Sequence, residues 1–141
     1  MIAIACDHGG LDIKNAIIED LKKKGIEYID LGTNTADSVD YPVYAKKVCT
    51  EITEGRCEKG ILCCGTGIGM SIAANKVRGI RAAVLSDEFS AEMTRRHNNS
   101  NVLCLGGRVI NEEKAVKLAD IFLNTPFEGG RHEKRVSMLE D

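Results

Sequence analysis

Tryptophan is missing from this 141-residue chain, and tyrosine and phenylalanine number three each. So few aromatic side chains leave no platform on which nucleic-acid bases could stack. Neither sign of charge prevails, with 19 Lys and Arg against 21 Asp and Glu. With a formal net charge of −2, bulk electrostatics favour neither nucleic acid nor an anionic membrane, and any anionic ligand must be held by a local cluster. No window approaches ~18 uninterrupted apolar residues, which excludes a membrane-spanning helix. The opening "MIAIACD" is apolar only from Met1 to Cys6 before Asp7 interrupts it. That is too short for a signal peptide and lacks a basic start, so a cytoplasmic protein is expected. CxxC pairs are absent too, which argues against a zinc site. The six cysteines, at positions 6, 49, 57, 63, 64 and 104, read as free thiols in a reducing cytosol.

What the chain does have is length and alternation. At 141 residues, 43% apolar and 28% charged, it suits one compact domain over residues 1–141 with a real core. No internal repeat, linker or low-complexity segment divides it. "IAIAC" (2–6) reads as a short buried strand. From Leu11 to Lys24, residues Ile13, Ala16, Ile17 and Leu21 keep helical spacing, and Gly25 ends the helix. "IEYIDLG" (26–32) is a second strand. Pro42 suits the first turn of a helix in which Ala45, Val48, Cys49 and Ile52 face one way, with Gly55 as its stop. "GILCC" (60–64), "RAAVLS" (81–86) and "NVLCLGG" (101–107) are three further strands. Helices follow them from about Gly69 to Lys76, from about Asp87 to His97, and after the capping residue Asn111, where Ala115, Leu118, Ala119 and Phe122 face inward. A short last helix, about 131–140, begins at Arg131.

Five β–α units imply an α/β fold, a Rossmann-like three-layer α/β/α sandwich around a five-stranded parallel sheet. Ligands of such sheets bind at the carboxyl ends of the strands. That rule gathers four loops: Asp7-His8-Gly9-Gly10, Cys64 to Gly69, Ser86-Asp87 and Gly106-Gly107-Arg108.

The third strand runs into "CCGTGIGMS", two adjacent thiols followed by Gly65, Gly67 and Gly69. A dinucleotide loop would want G-x-G-x-x-G after the first strand, and a Walker-type loop would want Gly-Lys-Ser/Thr. Neither is present, nor is an arginine placed as in a cysteine phosphatase. What remains is a thiol at a strand end facing a helix N-terminus across bare backbone. Amides of residues 65 to 70 and the helix dipole favour negative charge there. Such a field also favours a thiolate, so Cys64 is a candidate base beside an oxyanion hole. That pairing suits proton abstraction next to a carbonyl. Composition equally allows both cysteines to be packing residues and the glycines to serve only a close helix–strand approach. Strand alternation sends the two thiols to opposite faces, so at most one serves.

Other residues carry the same double reading. His8 is a surface loop residue or part of a second anion-friendly turn. His97, closing a helix in "RRHNNSN", is a dipole partner or a functional group. Arg131 and Arg135, four apart on one helix face, are solvated or hold a phosphate between them.

Taken together, "ACDHGG", "DYP", "CGTGIGMSIAANK", "RRHNNSN" and "EGGRHEKR" resemble the type B ribose-5-phosphate isomerase family, which also holds galactose-6-phosphate and allose-6-phosphate isomerases. The resemblance covers the whole chain. It implies an aldose–ketose isomerase of the pentose phosphate pathway working through a cis-enediolate, with a phosphosugar substrate and no metal or cofactor. It makes Cys64 the base. Thr66 helps with substrate hydroxyls, and Thr66 or Asp7 assists proton movement between the two oxygens. The backbone from Gly65 through Gly67 and Ile68 to Gly69 holds the enediolate, and His97 opens the sugar ring. Asp7, His8, Tyr41 and Asn98 line the sugar, while Arg108, Arg131 and Arg135 take the phosphate. It further implies a homodimer or dimer of dimers in which His97 and these arginines come from a second subunit, on which the C-terminal helix docks. One branch of the family places a glutamate base where this chain has Met70, so the chain falls in the thiol branch. A six-carbon phosphosugar substrate, or a sugar-phosphate-binding module without turnover, are the rival expectations.

Overall fold

The computed structural model describes residues 1–141. Its strands are β1 (Ile2–Cys6), β2 (Tyr28–Asp30), β3 (Lys59–Cys64), β4 (Ala82–Val84) and β5 (Val102–Gly106). Its helices are α1 (Leu11–Lys23), α2 (Tyr41–Thr53), α3 (Ile68–Asn75), α4 (Glu88–Asn98), α5 (Glu112–Asn124) and α6 (Arg131–Leu139). All strands pair in parallel, in the order β2-β1-β3-β5-β4. The expected three-layer sandwich is the observed one. None of the helices is long and apolar enough to cross a membrane.

The central strands are buried on both faces, which is why they read as unbroken apolar runs. One face packs Ile4, Ile61, Cys63, Leu103 and Leu105 against α1, α4 and α5. The other packs Ala3, Ala5, Leu62, Cys64 and Cys104 against α2 and α3. Helix ends follow the local chemistry. Asp87 caps α4 by accepting from the Ser90 amide, and Asn111 caps α5 by accepting from Lys114. Pro42 stands in the first turn of α2.

Two expected strands are shorter than the apolar runs suggest: the 26–32 run yields three residues in β2, and the 81–86 run three in β4. Both lie at sheet edges, where only one neighbour supplies ladder bonds. Gly9 and Gly10 belong to a 3-10 turn (His8–Gly10) that leads directly into α1.

One buried charge stands out. Lys14 on α1 is fully buried, and its ammonium donates to Asp30 Oδ1 at 2.9 Å, the Thr33 carbonyl at 2.7 Å and Asn34 Oδ1 at 2.8 Å. Three acceptors satisfy its three protons. The lysine thereby ties α1 to the loop after β2.

Candidate active site

Strand order reverses direction at β1 and β3, because the chain winds outward to β2 on one side and to β5 and β4 on the other. That switch point is where a crevice opens at the strand carboxyl ends. Asp7 follows β1 there and Cys64 ends β3 there.

The loops meet backbone to backbone, and glycine makes that possible. A Cβ on Gly106 would sit 2.6 Å from a Thr66 main-chain carbon, and one on Gly9 2.9 Å from the Gly65 nitrogen. Amide bonds then stitch the loops together: Asp7 to the Cys63 carbonyl at 3.1 Å, Gly107 to Cys64 at 2.8 Å, and Arg108 to Gly65 at 2.9 Å. Gly67 has φ of 81°, a conformation side chains resist, and it is the N-cap of α3.

Within this frame the Gly67 amide donates to Cys64 Sγ at 3.1 Å. The Ile68 amide donates to Thr66 Oγ1 at 3.2 Å. Two of the amides expected to point into an empty loop are thus engaged by the loop's own side chains. The amides of Gly69 and Met70, in the first turn of α3, have no intrahelical partner by position, and Gly67 offers no capping side chain. Asp7 is buried, and its Oδ1 accepts from the Gly9 amide at 2.8 Å. The Val39 amide donates to His8 Nδ1 at 3.2 Å. An accepting Nδ1 places the proton of a neutral His8 on Nε2.

Tyr41 and Arg108 complete this cluster. The Tyr41 ring lies 2.8 Å from where a Gly69 Cβ would be, and the Arg108 guanidinium 3.2 Å from a Cβ on Gly65. Arg108 therefore lies across its own chain's loop. That corrects the expectation of an arginine supplied by a second subunit; Arg108 follows β5, whose carboxyl end is at this crevice.

Four expected site residues are elsewhere. His97 and Asn98 end α4, immediately before β5 starts, so they lie at the amino ends of the strands. The four residue steps of β5 alone separate the two ends by on the order of 13 Å. Arg131 and Arg135 on α6 join this second group. His97, Asn98, His132 and Arg135 border one shallow cleft of about 360 Å³. Two internal arginines lock it. Arg95 donates to the carbonyls of Thr125 at 3.1 Å and Ser100 at 2.7 Å. Arg81 donates to the Asn98 carbonyl at 3.1 Å and grips Glu140 at 2.6 Å.

The other thiols are packing groups. Burial pushes Cys63 and Cys104 well above the ordinary thiol range, and lifts Cys6 and Cys49 to about 11. Sequence reasoning missed Lys14, His132 and Glu128. A lysine inside the apolar stripe of α1 was the available signal for the first, and the i, i+4 spacing of Glu128 and His132 for the others.

A parallel sheet with a thiol, bare amides and a carboxylate at its switch point defines an α/β protein built to receive a small polar ligand. The chain belongs to the Ribose/Galactose Isomerase family, whose model matches residues 2–139. It is 46% identical over 138 residues to ribose-5-phosphate isomerase B of Escherichia coli K12, covering 98% of this chain and 93% of that one. The solved structure of Clostridium thermocellum ribose-5-phosphate isomerase B matches it with a TM-score of 0.97 at 48% identity, over 99% of this chain and 94% of that one. The Mycoplasma genitalium enzyme, solved with bound ribulose-5-phosphate, matches with a TM-score of 0.94 at 43% identity, over 99% and 93% of the two chains.

Proposed function

We propose that this chain interconverts D-ribose 5-phosphate and D-ribulose 5-phosphate, with Cys64 as the carbon base. The observation that carries the reading is the Cys64 sulfur at the end of β3, held 3.1 Å from the amide of the α3 N-cap. The family relationship supports the reaction class, and a relative at 43% identity carries ribulose-5-phosphate.

His97 delivers a proton to the ring oxygen, solvent water takes the proton of the anomeric hydroxyl and returns one to His97, and the C1 aldehyde opens. The Cys64 thiolate takes the C2 proton. The electron pair moves into a C1–C2 double bond, and charge collects on O1, where amides of the α3 N-terminus receive it. Thr66 or Asp7 shifts the hydroxyl proton from O2 to O1. Cys64 returns its proton to C1, leaving the C2 ketone. His8, donating from Nε2, and Tyr41 orient the sugar hydroxyls. Arg108 meets the phosphate from the same chain, and Arg131 and Arg135 meet it from another.

A site shared between subunits is supported by the separation of Cys64 from His97, at opposite ends of the sheet. It is also supported by apolar side chains left bare around the crevice. Ile68, Ile72, Val84, Phe89 and Val109 are all exposed, on or next to α3, β4, α4 and β5. A homodimer or dimer of dimers would cover them and bring a neighbour's His97, Asn98, Arg131 and Arg135 over Cys64.

The test is turnover of ribose 5-phosphate, allose 6-phosphate and galactose 6-phosphate by the purified protein. Conversion of ribose 5-phosphate with the highest kcat/KM is expected. A higher kcat/KM for either hexose phosphate reassigns the substrate, and turnover of none of the three leaves a binding module.

A further inference from the structure

His97 does not stand alone. Its ring lies face to face with that of His132, centroids 4.2 Å apart and planes inclined by 12°. His132 is more than nine-tenths buried, and its Nε2 has no hydrogen-bond partner. Glu128 straddles the pair, with Oε1 3.6 Å from His132 Nε2 and Oε2 3.9 Å from His97 Nε2. The Glu128 amide in turn donates to the Arg96 carbonyl at 3.1 Å, fastening the acid to the end of α4.

A buried imidazole nitrogen without a partner is costly, so the arrangement calls for a reason. A metal ion is a poor one. A metal takes each imidazole lone pair in the plane of its ring, and two nearly parallel planes do not meet at one ion. Stacking is the better clue. An exposed histidine on the last turn of a helix has several rotamers. One pressed against a buried ring has few.

We propose that His132 is a positioning residue for the ring-opening step: its buried imidazole is the back wall on which His97 stacks, and Glu128 bridges the two rings. This rests on the isomerase reading above. Two stacked imidazolium rings would repel, so the pair accepts one proton at a time. Of the two rings, His97 is the more exposed and the one able to face a substrate. His132 is held below the ordinary histidine range, first by burial, then by the neighbouring His97, with Arg131 and Arg135 adding to it and Glu128 opposing it. That lowering favours a neutral His132, which serves as a wall rather than as a second acid.

The experiment compares two activities of intact protein. Conversion of ribose 5-phosphate needs ring opening, whereas exchange of the C1 protons of ribulose 5-phosphate with deuterium oxide does not. Wild type must show both, and wild type showing neither would sink the isomerase reading rather than this one. His132→Ala is expected to lower aldose conversion about tenfold or more while exchange stays within about twofold. His132→Phe, which keeps a stacked ring, is expected to recover most of the aldose rate, and it guards against loss of fold in the alanine variant. In 15N spectra the His132 titration should move to higher pH in His97→Asn. Equal losses in both activities for His132→Ala, or no recovery with His132→Phe, would overturn the proposal. So would a His132 titration indifferent to His97.

Discussion

Cys63 and Cys64 are covalent neighbours that belong to different cores. The first packs beneath α1 and α5, the second beneath α2 and α3 at the mouth of the glycine loop. Only the second accepts a hydrogen bond from the α3 N-cap. Cys64→Ala should abolish isomerisation and leave ribulose 5-phosphate affinity within about tenfold, since phosphate contacts carry much of the binding. Cys63→Ala should cost about 1 kcal/mol in packing and leave kcat unchanged. Isothermal titration beside steady-state kinetics separates the two. A tenth of wild-type kcat in Cys64→Ala would remove the thiol from its role.

The thiols should also differ towards an alkylating reagent. Burial raises Cys63 and Cys104 well above the ordinary range and brings Cys6 and Cys49 to about 11. At pH 8 these four stay protonated and inert, because the thiolate is the reactive form. Iodoacetamide at that pH should modify Cys64 first, in step with loss of activity, and ribulose 5-phosphate should protect it. Peptide mapping by mass spectrometry reads the order.

His97→Asn should split the two directions of the reaction. Ribose 5-phosphate is mostly a closed ring. Ribulose 5-phosphate cannot close a five-membered ring, because its C5 oxygen carries the phosphate. Aldose conversion should fall by about 10²-fold or more, the usual size of a lost acid–base group, while C1 proton exchange of the ketose survives. Equal loss of both would take ring opening away from His97.

Lys14→Met is a test of the buried ammonium. It removes one hydrogen bond each from the Thr33 carbonyl, the exposed Asn34 and the partly exposed Asp30 carboxylate, which retains only the Gly32 amide, and should cost about 1–2 kcal/mol in urea unfolding. The loop after β2 also carries Val39, whose amide orients His8, so KM should rise more than kcat falls. An unchanged KM would detach the lysine from the site.

Complementation probes how the site is divided. Cys64→Ala and Arg131→Ala/Arg135→Ala chains, each inactive, should regain activity when refolded together. In a mixed dimer one site draws an intact thiol from one chain and intact arginines from the other. Hybrid dimers shown to be present, yet no more active than the parents, would mean that each site is built within one chain.

Much of this was readable from residue order, and what was not has physical causes. Buried parallel strands are apolar throughout, so β1, β3 and β5 announce themselves. Edge strands end where ladder bonds run out, which an apolar run does not record, hence the shorter β2 and β4. The position of His97 was implicit. A residue closing a helix in a β–α repeat must lie at the amino end of the sheet, and the motif "RRHNNSN" carries no mark of that distance from Cys64. His132 was hidden for a different reason: its role comes from a ring stacked on another element, which spacing along one helix does not encode. Lys14 was masked by the apolar stripe around it.

The crevice that holds Cys64 and the cleft that holds His97 lie at opposite ends of the sheet, and on the proposed shared site this would make catalysis a matter of mass action. A lone protomer would own both halves of the machinery and be unable to close them on one sugar. Specific activity should then fall as protein is diluted past the dissociation constant of the assembly, with a lag on mixing that reports reassociation. The phosphosugar, gripped from both sides, would act as mortar between protomers, and its presence should move the dilution midpoint to lower protein concentration.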